Sequence, residues 1–176
     1  MTVHALRRGR PEVLGELLDR YGRDMQAVAY LIVRDRAAAE DIVADSLLAA
    51  LDRGHSLRDD DALRPWLLRI ATNRALRYRQ RAARVVELEV VEGAAAEPRR
   101  PSADDSLALW QAVRGLPPRM RAAVGLRYYL DLPVETVAEV LDVSPNTIKT
   151  QLKSALAHLR TALADEPMPV AEVRHA

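Results

Sequence analysis

Between Val134 and Arg160 the chain reads VETVAEVLDVSPNTIKTQLKSALAHLR, which limits its possible folds more than any other stretch. Val134, Val137, Ala138 and Leu141 recur at three-to-four-residue spacing, and the pattern restarts at Ile148 and runs through Leu152, Ala155, Leu156, Leu159 and Leu163. Two amphipathic helices follow from that period. The break between them holds Asp142, which tolerates a left-handed backbone, Ser144, which can cap a helix, and Pro145, which suits a first helical position. The spacing predicts a helix-turn-helix with a short, tight turn.

The second helix carries a chemical bias. From Val143 through Ala164 there is no Asp or Glu. Asn146, Thr147, Lys149, Thr150, Gln151 and Lys153 lie in its N-terminal turns and largely outside the apolar stripe. Those turns are the part of a DNA-reading helix that enters the major groove, where short polar and basic side chains reach base edges and phosphates. A solvated helical hairpin would also carry Lys and Thr, but the one-sided charge favours DNA.

Charge is segregated elsewhere as well. A net charge of +1 looks neutral, yet seven arginines and no carboxylate occupy Ala62 through Val86, and Arg114, Arg119, Arg121 and Arg127 precede the helix-turn-helix. Local runs of this kind, more than the sum, set the partner. With 176 residues, 49% apolar and 29% charged, the chain is expected to be globular with room for two small domains. It has no cysteine, and His4, His55, His158 and His175 lack ligand-like spacing, so neither a disulfide framework nor a metal site is expected, and no cofactor. HExxH, a phosphate loop and a cysteine nucleophile are all missing, which argues against a helical hydrolase. Neither a signal-peptide run nor an apolar stretch of spanning length occurs, so a cytoplasmic protein without membrane contact is expected.

Along the chain, Leu14, Leu17, Leu18, Tyr21, Met25, Val28 and Ile32 mark a helix from Pro11 to about Arg34, and Ala37 to Leu51 marks another. GHSLRDDD (Gly54 to Asp61) breaks the period before Leu63, Trp66, Leu67, Ile70, Ala71 and Tyr78 begin a third helix through the arginine-rich block. Both Trp66 and Trp110 sit in apolar helical stripes and read as core anchors. Val85 to Asp105 loses the period and gathers Glu, Ala, Gly and Pro, which is linker composition; VVELEVV alternates like a strand but finds no partner strand. Helical signals resume at Ser106, stop at Gly115-Leu116-Pro117 and continue from Pro118 to Leu130. The expected architecture is all-α: a helical domain over 1–84, a flexible acidic linker over 85–105, a second helical domain containing the helix-turn-helix over 106–164, and a flexible tail over 165–176.

Three stretches resemble one family in order and spacing, the extracytoplasmic-function (group 4) class of bacterial RNA polymerase sigma factors. AAEDIVADSLLAAL (Ala38 to Leu51) is similar to the family's AEDxVQExF-type helix, and RPWLLRIATNRALRYRQR (Arg64 to Arg81) to its WLxRIAxNxAxDxxRR segment. LALWQAVRGLPPRMRAAVGLRYYLDLPVETVAEVLDVSPNTIKTQLKSALAHLR is similar to its succession of aLxxLPxxxR, an AExLgxS turn and a TVKSxLxRAxxxLR recognition helix. Ala44, Leu47, Arg77 and Asp142 stand where the family more often has Gln, Phe, Asp and Gly.

The resemblance implies a sigma factor: it joins core RNA polymerase, reads the minus-thirty-five element and opens the minus-ten element, with no catalysis of its own. It assigns Asn146, Thr147, Lys149, Thr150, Gln151 and Lys153 to minus-thirty-five DNA. Arg64, Arg69, Asn73 and Arg77, with His55 and Ser56 of a base-capturing loop that also offers Asp59 and Asp60, fall to minus-ten DNA. Glu40, Asp41, Asp45 and Leu48, outside the stripe Ile42, Val43, Leu47, Ala50 and Leu51, fall to polymerase, where an acidic face suits a basic coiled coil. Glu87, Glu89, Glu92 and Glu97 of the linker suit either a basic channel or a solvated spacer. Partners would be core polymerase, promoter DNA and potentially an anti-sigma protein, with the free chain monomeric and nucleoid-associated in the cytoplasm. The competing reading is a helix-turn-helix regulator that binds operators without joining polymerase. Either way, replacing both Lys149 and Lys153 by Ala should weaken DNA binding and flatten its salt dependence by roughly one log unit per log unit of salt for each phosphate no longer neutralised. Unchanged affinity across a salt series would remove the two lysines from the interface.

Overall fold

A computed structural model describes residues 2–8, 10–57, 59–88 and 104–164. Among these residues every regular element is helical: α1 (Thr2–Arg7), α2 (Val13–Val33), α3 (Arg36–Arg53), α4 (Leu63–Leu88), α5 (Asp104–Gly115), α6 (Pro118–Val124), α7 (Val134–Leu141) and α8 (Pro145–Ala164). A 3-10 turn, Gly54–Ser56, follows α3, and a π-helical turn, Gly125–Tyr129, follows α6. Most of the expected linker, and the whole expected tail, lie outside the described residues. Val85 to Leu88 complete α4, so the strand reading of VVELEVV does not hold for them, and α4 ends later than the sequence suggests. The short N-terminal α1 was not expected; it buries Val3 and Leu6, and the amide N–H of Val3 donates to Asp60 Oδ1 at 3.2 Å.

Helices α2, α3 and α4 form the first unit, with Leu17, Met25, Val28, Ile32, Leu67, Leu68 and Ala71 fully buried among them. Asp35 caps α3 by accepting from Ala38 N–H at 2.8 Å. The stripe read from the sequence for α3 is buried at Ile42, Val43, Leu47 and Ala50, and Ser46 joins it, its hydroxyl satisfied by donating to the Ile42 carbonyl at 2.6 Å. Leu18 and Leu163, both counted into apolar stripes, instead stand 50% and 40% exposed. Periodicity fixes their angular position only approximately, and they fall at the edge of a helix face that the described residues cover only in part.

In the second unit the helix-turn-helix forms as its sequence predicts. Asp142 takes φ 56°, Val143 N–H closes back on the Ala138 carbonyl at 3.1 Å, and Ser144 Oγ accepts from Thr147 N–H at 3.1 Å to cap α8 at Pro145. These are the two bonds that stop one helix and start the next. Ile148, Leu152, Ala155 and Leu159 bury one face of α8.

The two units do not stand apart. Leu126, Leu130, Leu132, Val137 and Val140 of the second belong to the same buried apolar cluster as Leu67, Leu68 and Ala71 of the first. The seam runs mainly between α4 and α7 and between α2 and α6. Leu31, on α2, packs with Val113, Leu116, Ala155 and Leu159 of the second unit. Gly125 makes room for it: a Cβ there would lie 2.6 Å from Leu31 Cδ1. Arg64 ties the same seam, pairing with Asp24 Oδ2 at 2.8 Å and donating to the Leu130 carbonyl at 3.3 Å. Leu31→Ala should therefore cost about 2–4 kcal/mol in chemical denaturation, while Leu163→Ala should cost under about 0.5 kcal/mol.

Candidate nucleic-acid and polymerase interfaces

Three surfaces carry the residues singled out by sequence. On α8, Asn146, Thr147, Lys149, Thr150 and Lys153 are exposed and Gln151 is half-buried, so the polar side of the second helix of the helix-turn-helix faces outward. Not all of its polar atoms are equally available. The Thr147 hydroxyl lies 2.9 Å from Ser144 Oγ within the cap, and the Thr150 hydroxyl donates to the Asn146 carbonyl at 3.0 Å. The lysines are the longest-reaching groups, the Asn146 side chain has no hydrogen bond among the described residues, and the helix N-terminus adds a partial positive charge at the same end. Together they can meet phosphates and base edges.

The second surface is a cleft of about 270 Å³ along α4. Arg53, Trp66, Arg69, Ile70, Asn73, Arg74 and Arg77 line it. Arg69, Asn73 and Arg77 thus come together as their four-residue spacing requires, and the wall is more basic than those three alone would make it. Trp66 corrects its sequence reading: it is half-buried, packed on the core by one part and lining the cleft by another. An indole beside four arginines is suited to an unstacked base flanked by phosphates, since aromatic faces stack bases regardless of sequence. Helical spacing carried this signal, because 66, 69, 70, 73, 74 and 77 lie on one face of a helix.

Other residues assigned to the same DNA are less free. Arg64 is engaged at the seam between the units, away from the cleft. Arg69 bonds Asp142 of the helix-turn-helix turn at 3.2 Å. Exposed pairs of this kind contribute only about 0.2–1 kcal/mol, so a phosphate can displace the carboxylate. His55 is exposed on the 3-10 turn with its Nδ1 3.2 Å from the Asp52 carbonyl. Ser56 lies on that turn, its side chain outside the described residues. Asp59 holds the loop by accepting from Asp61 N–H at 3.2 Å, and Asp60 holds α1. Gly54 anchors this corner, because a Cβ would meet Leu6 Cγ at 2.5 Å and the Leu6 carbonyl oxygen at 3.0 Å.

The third surface is the outer face of α3, where Glu40, Asp41, Asp45 and Leu48 are all exposed, Leu48 by 55%. Glu40 pairs with Arg36 at 2.9 Å and Asp45 with Arg74 at 3.4 Å, while Asp41 has no such pair among the described residues. An apolar side chain among carboxylates fits a basic helical partner. No group of His, Asp and Glu among the described residues is placed to hold a metal ion, and no described helix is long and apolar enough to cross a membrane.

With this geometry in place, comparison with known proteins gives consistent matches. Residues 17–85 match the model of Sigma-70 region 2, and residues 106–159 match that of Sigma-70, region 4. The chain is 28% identical over 148 residues to RNA polymerase sigma factor SigV of Bacillus subtilis, which spans 83% of this chain and 88% of SigV. Its fold is similar to that of the sigma factor RpoE in complex with the anti-sigma factor NepR from Bartonella quintana, with a TM-score of 0.71 at 24% identity over 87% of this chain and 97% of that one. It is similar also to CnrH in complex with the cytosolic domain of CnrY, with a TM-score of 0.70 at 22% identity over 94% and 97%. The partly buried and the exposed ion pairs of α4, Arg64 with Asp24 and Arg69 with Asp142, should separate in urea denaturation. Arg64→Met should lose about 1–2 kcal/mol, because it strands Asp24 and the Leu130 carbonyl, whereas Arg69→Met should change stability by under about 0.5 kcal/mol.

Proposed function

We propose that the two helical units of this chain, which belongs to the sigma-70 family as an extracytoplasmic-function sigma factor and directs RNA polymerase to promoters, divide promoter recognition between them. The observation that carries this reading is the order of the two matched regions, each coinciding with a helical unit that presents the surface its role requires. In the second unit, Lys149 and Lys153 meet phosphates or bases of the minus-thirty-five element, and Asn146, Thr147, Thr150 and Gln151 contribute to reading it. In the first, the cleft of Trp66, Arg69, Asn73 and Arg77 takes minus-ten DNA, with His55 and Ser56 at the neighbouring turn. Capturing an unstacked base offsets the few kcal/mol that strand opening costs, and no bond-making residue is needed. Glu40, Asp41, Asp45 and Leu48 dock on polymerase. Units divided at 1–84 and 106–164, with the matched regions separated only by residues 86–105, support the group 4 assignment. The chain acts in the cytoplasm, at the nucleoid.

Distance adds a mechanical requirement. The two elements lie about 25 base pairs apart, which is about 85 Å at about 3.4 Å per base pair. A compact chain of this length is on the order of 40 Å across. The packed arrangement therefore cannot touch both elements, and the seam through Leu31, Leu126, Leu130 and Arg64 must part. Fully extended, residues 89–103 reach about 50 Å, enough with the units themselves to bridge the gap. An anti-sigma protein, as NepR is for RpoE, would act on this chain by holding the units together or covering their charged faces.

The operator-binding regulator needs neither the acidic face of α3 nor the basic cleft of α4. Purified chain with core polymerase, transcribing a genomic library followed by start-site mapping, should yield transcripts sharing two elements at fixed spacing. Tight operator binding by the chain alone, with no polymerase-dependent transcript, would favour the regulator.

A further inference from the structure

Four arginines converge where the units meet. Arg34 closes the C-terminus of α2 in a left-handed conformation, with φ 64°, and Arg79 comes from α4. Arg114 comes from α5 and Arg121 from α6. Arg79 and Arg114 repel Arg34, all three repel Arg121, and Arg121 is only 2% exposed. Its only protein acceptor among the described residues is the Arg114 carbonyl, at 3.4 Å. The Nε atoms of both Arg79 and Arg121 are buried with no acceptor at all among the described residues. None of the four belongs to any ion pair among the described residues, although five such pairs form elsewhere. Burial, followed by the charges of Arg34, Arg79 and Arg114, pushes the Arg121 guanidinium down to about 10. It stays charged at neutral pH all the same. The unfolded chain holds that proton more tightly, so the penalty persists at every pH below about 10 and fades only above it.

Buried donors without acceptors and like charges without a counterion are expensive, and folded proteins rarely retain both in one place without a ligand. The guanidinium fork matches the oxygens of phosphate, and several cations facing one another call for an anion carrying more than one charge. We propose that Arg34, Arg79, Arg114 and Arg121 form a binding site for a small, multivalent phosphate-class oxyanion seated between the two helical units. Arg34 and Arg79 belong to the first unit, Arg114 and Arg121 to the second, so the complete site exists only while the units are packed. The anion therefore stabilises the closed arrangement by mass action, and at a hundredfold excess over its dissociation constant it shifts the closed-to-open ratio about a hundredfold. That binding stands apart from the sigma-factor reading; its consequence, slower promoter engagement when the anion is abundant, rests on it.

Thermal unfolding of the full chain tests the site without any transcription assay. Inorganic phosphate, pyrophosphate and ATP are compared with chloride at matched ionic strength. The melting temperature should rise by about 5–10 °C near saturation with at least one of the three. A rise with phosphate or pyrophosphate identifies the free oxyanion as sufficient, and a rise with ATP alone makes a nucleotide its carrier. Arg121→Met keeps the side-chain volume and removes one repelling charge. Without anion it should melt at or above the parent temperature, and with anion its gain should vanish. Should that variant fail to fold, half-buried Arg79→Met gives the same readout. No rise in the parent protein, or an equal rise in parent and variant, overturns the proposal.

Discussion

The apolar seam between the two units is the constraint on which the rest depends. Leu126, Leu130, Leu132, Val137 and Val140 are buried against a cluster that also contains Leu67, Leu68 and Ala71. Each such side chain contributes about 1.5–3 kcal/mol when fully withdrawn from water, so the seam is no incidental contact. Yet a protein about 40 Å across cannot span about 85 Å of promoter. The stability gained by packing the units is free energy that promoter and polymerase must together replace. On the proposed division of promoter recognition, this opposition would hold the free chain back from unassisted promoter binding.

Electrostatics tune that barrier from several positions. Arg64 with Asp24 and Leu130 adds a partly buried tie, while Arg69 with Asp142 adds an exposed one. The latter joins a cleft arginine to the turn of the helix-turn-helix, and a phosphate reaching Arg69 would compete with Asp142 for it. The cluster of half-buried Arg34, Arg79 and Arg114 around buried Arg121 acts in the opposite direction, pushing the units apart until a counterion arrives. Closure thus rests on apolar packing, with charge setting how readily it is undone.

Local signals in the sequence were enough for the helix-turn-helix, because Asp142, Ser144, Pro145 and the apolar spacing each act within a turn or two of chain. The acidic face of α3 and the clustering of Arg69, Asn73 and Arg77 were legible for the same reason: helical period alone sets which residues share a face. What the sequence hid depends on partners distant in the chain. Leu31 looks like any core leucine of α2, and only the bare backbone at Gly125 explains where it goes. Arg119 and Arg121 differ by two positions and lie on different sides of α6, one exposed and one buried, and nothing local marks the difference. Trp66 combines core packing with a wall of the cleft, two roles that an apolar stripe cannot distinguish. Nothing local marks the short α1, because Leu6 has meaning only against Gly54 and the Val3 N–H only against Asp60.

Packing of the units in the free chain and their separation on the promoter can be measured directly because the sequence contains no cysteine to interfere with labelling. Cysteines introduced at exposed Glu16 and Ala157 and spin-labelled would report the distance between the two units by pulsed electron resonance. One short distance in the free protein and a lengthening by tens of ångströms with core polymerase and promoter DNA is the predicted result. A distance unchanged in a transcription-competent complex, or an equally long one in the free chain, would mean that the units do not part on the promoter.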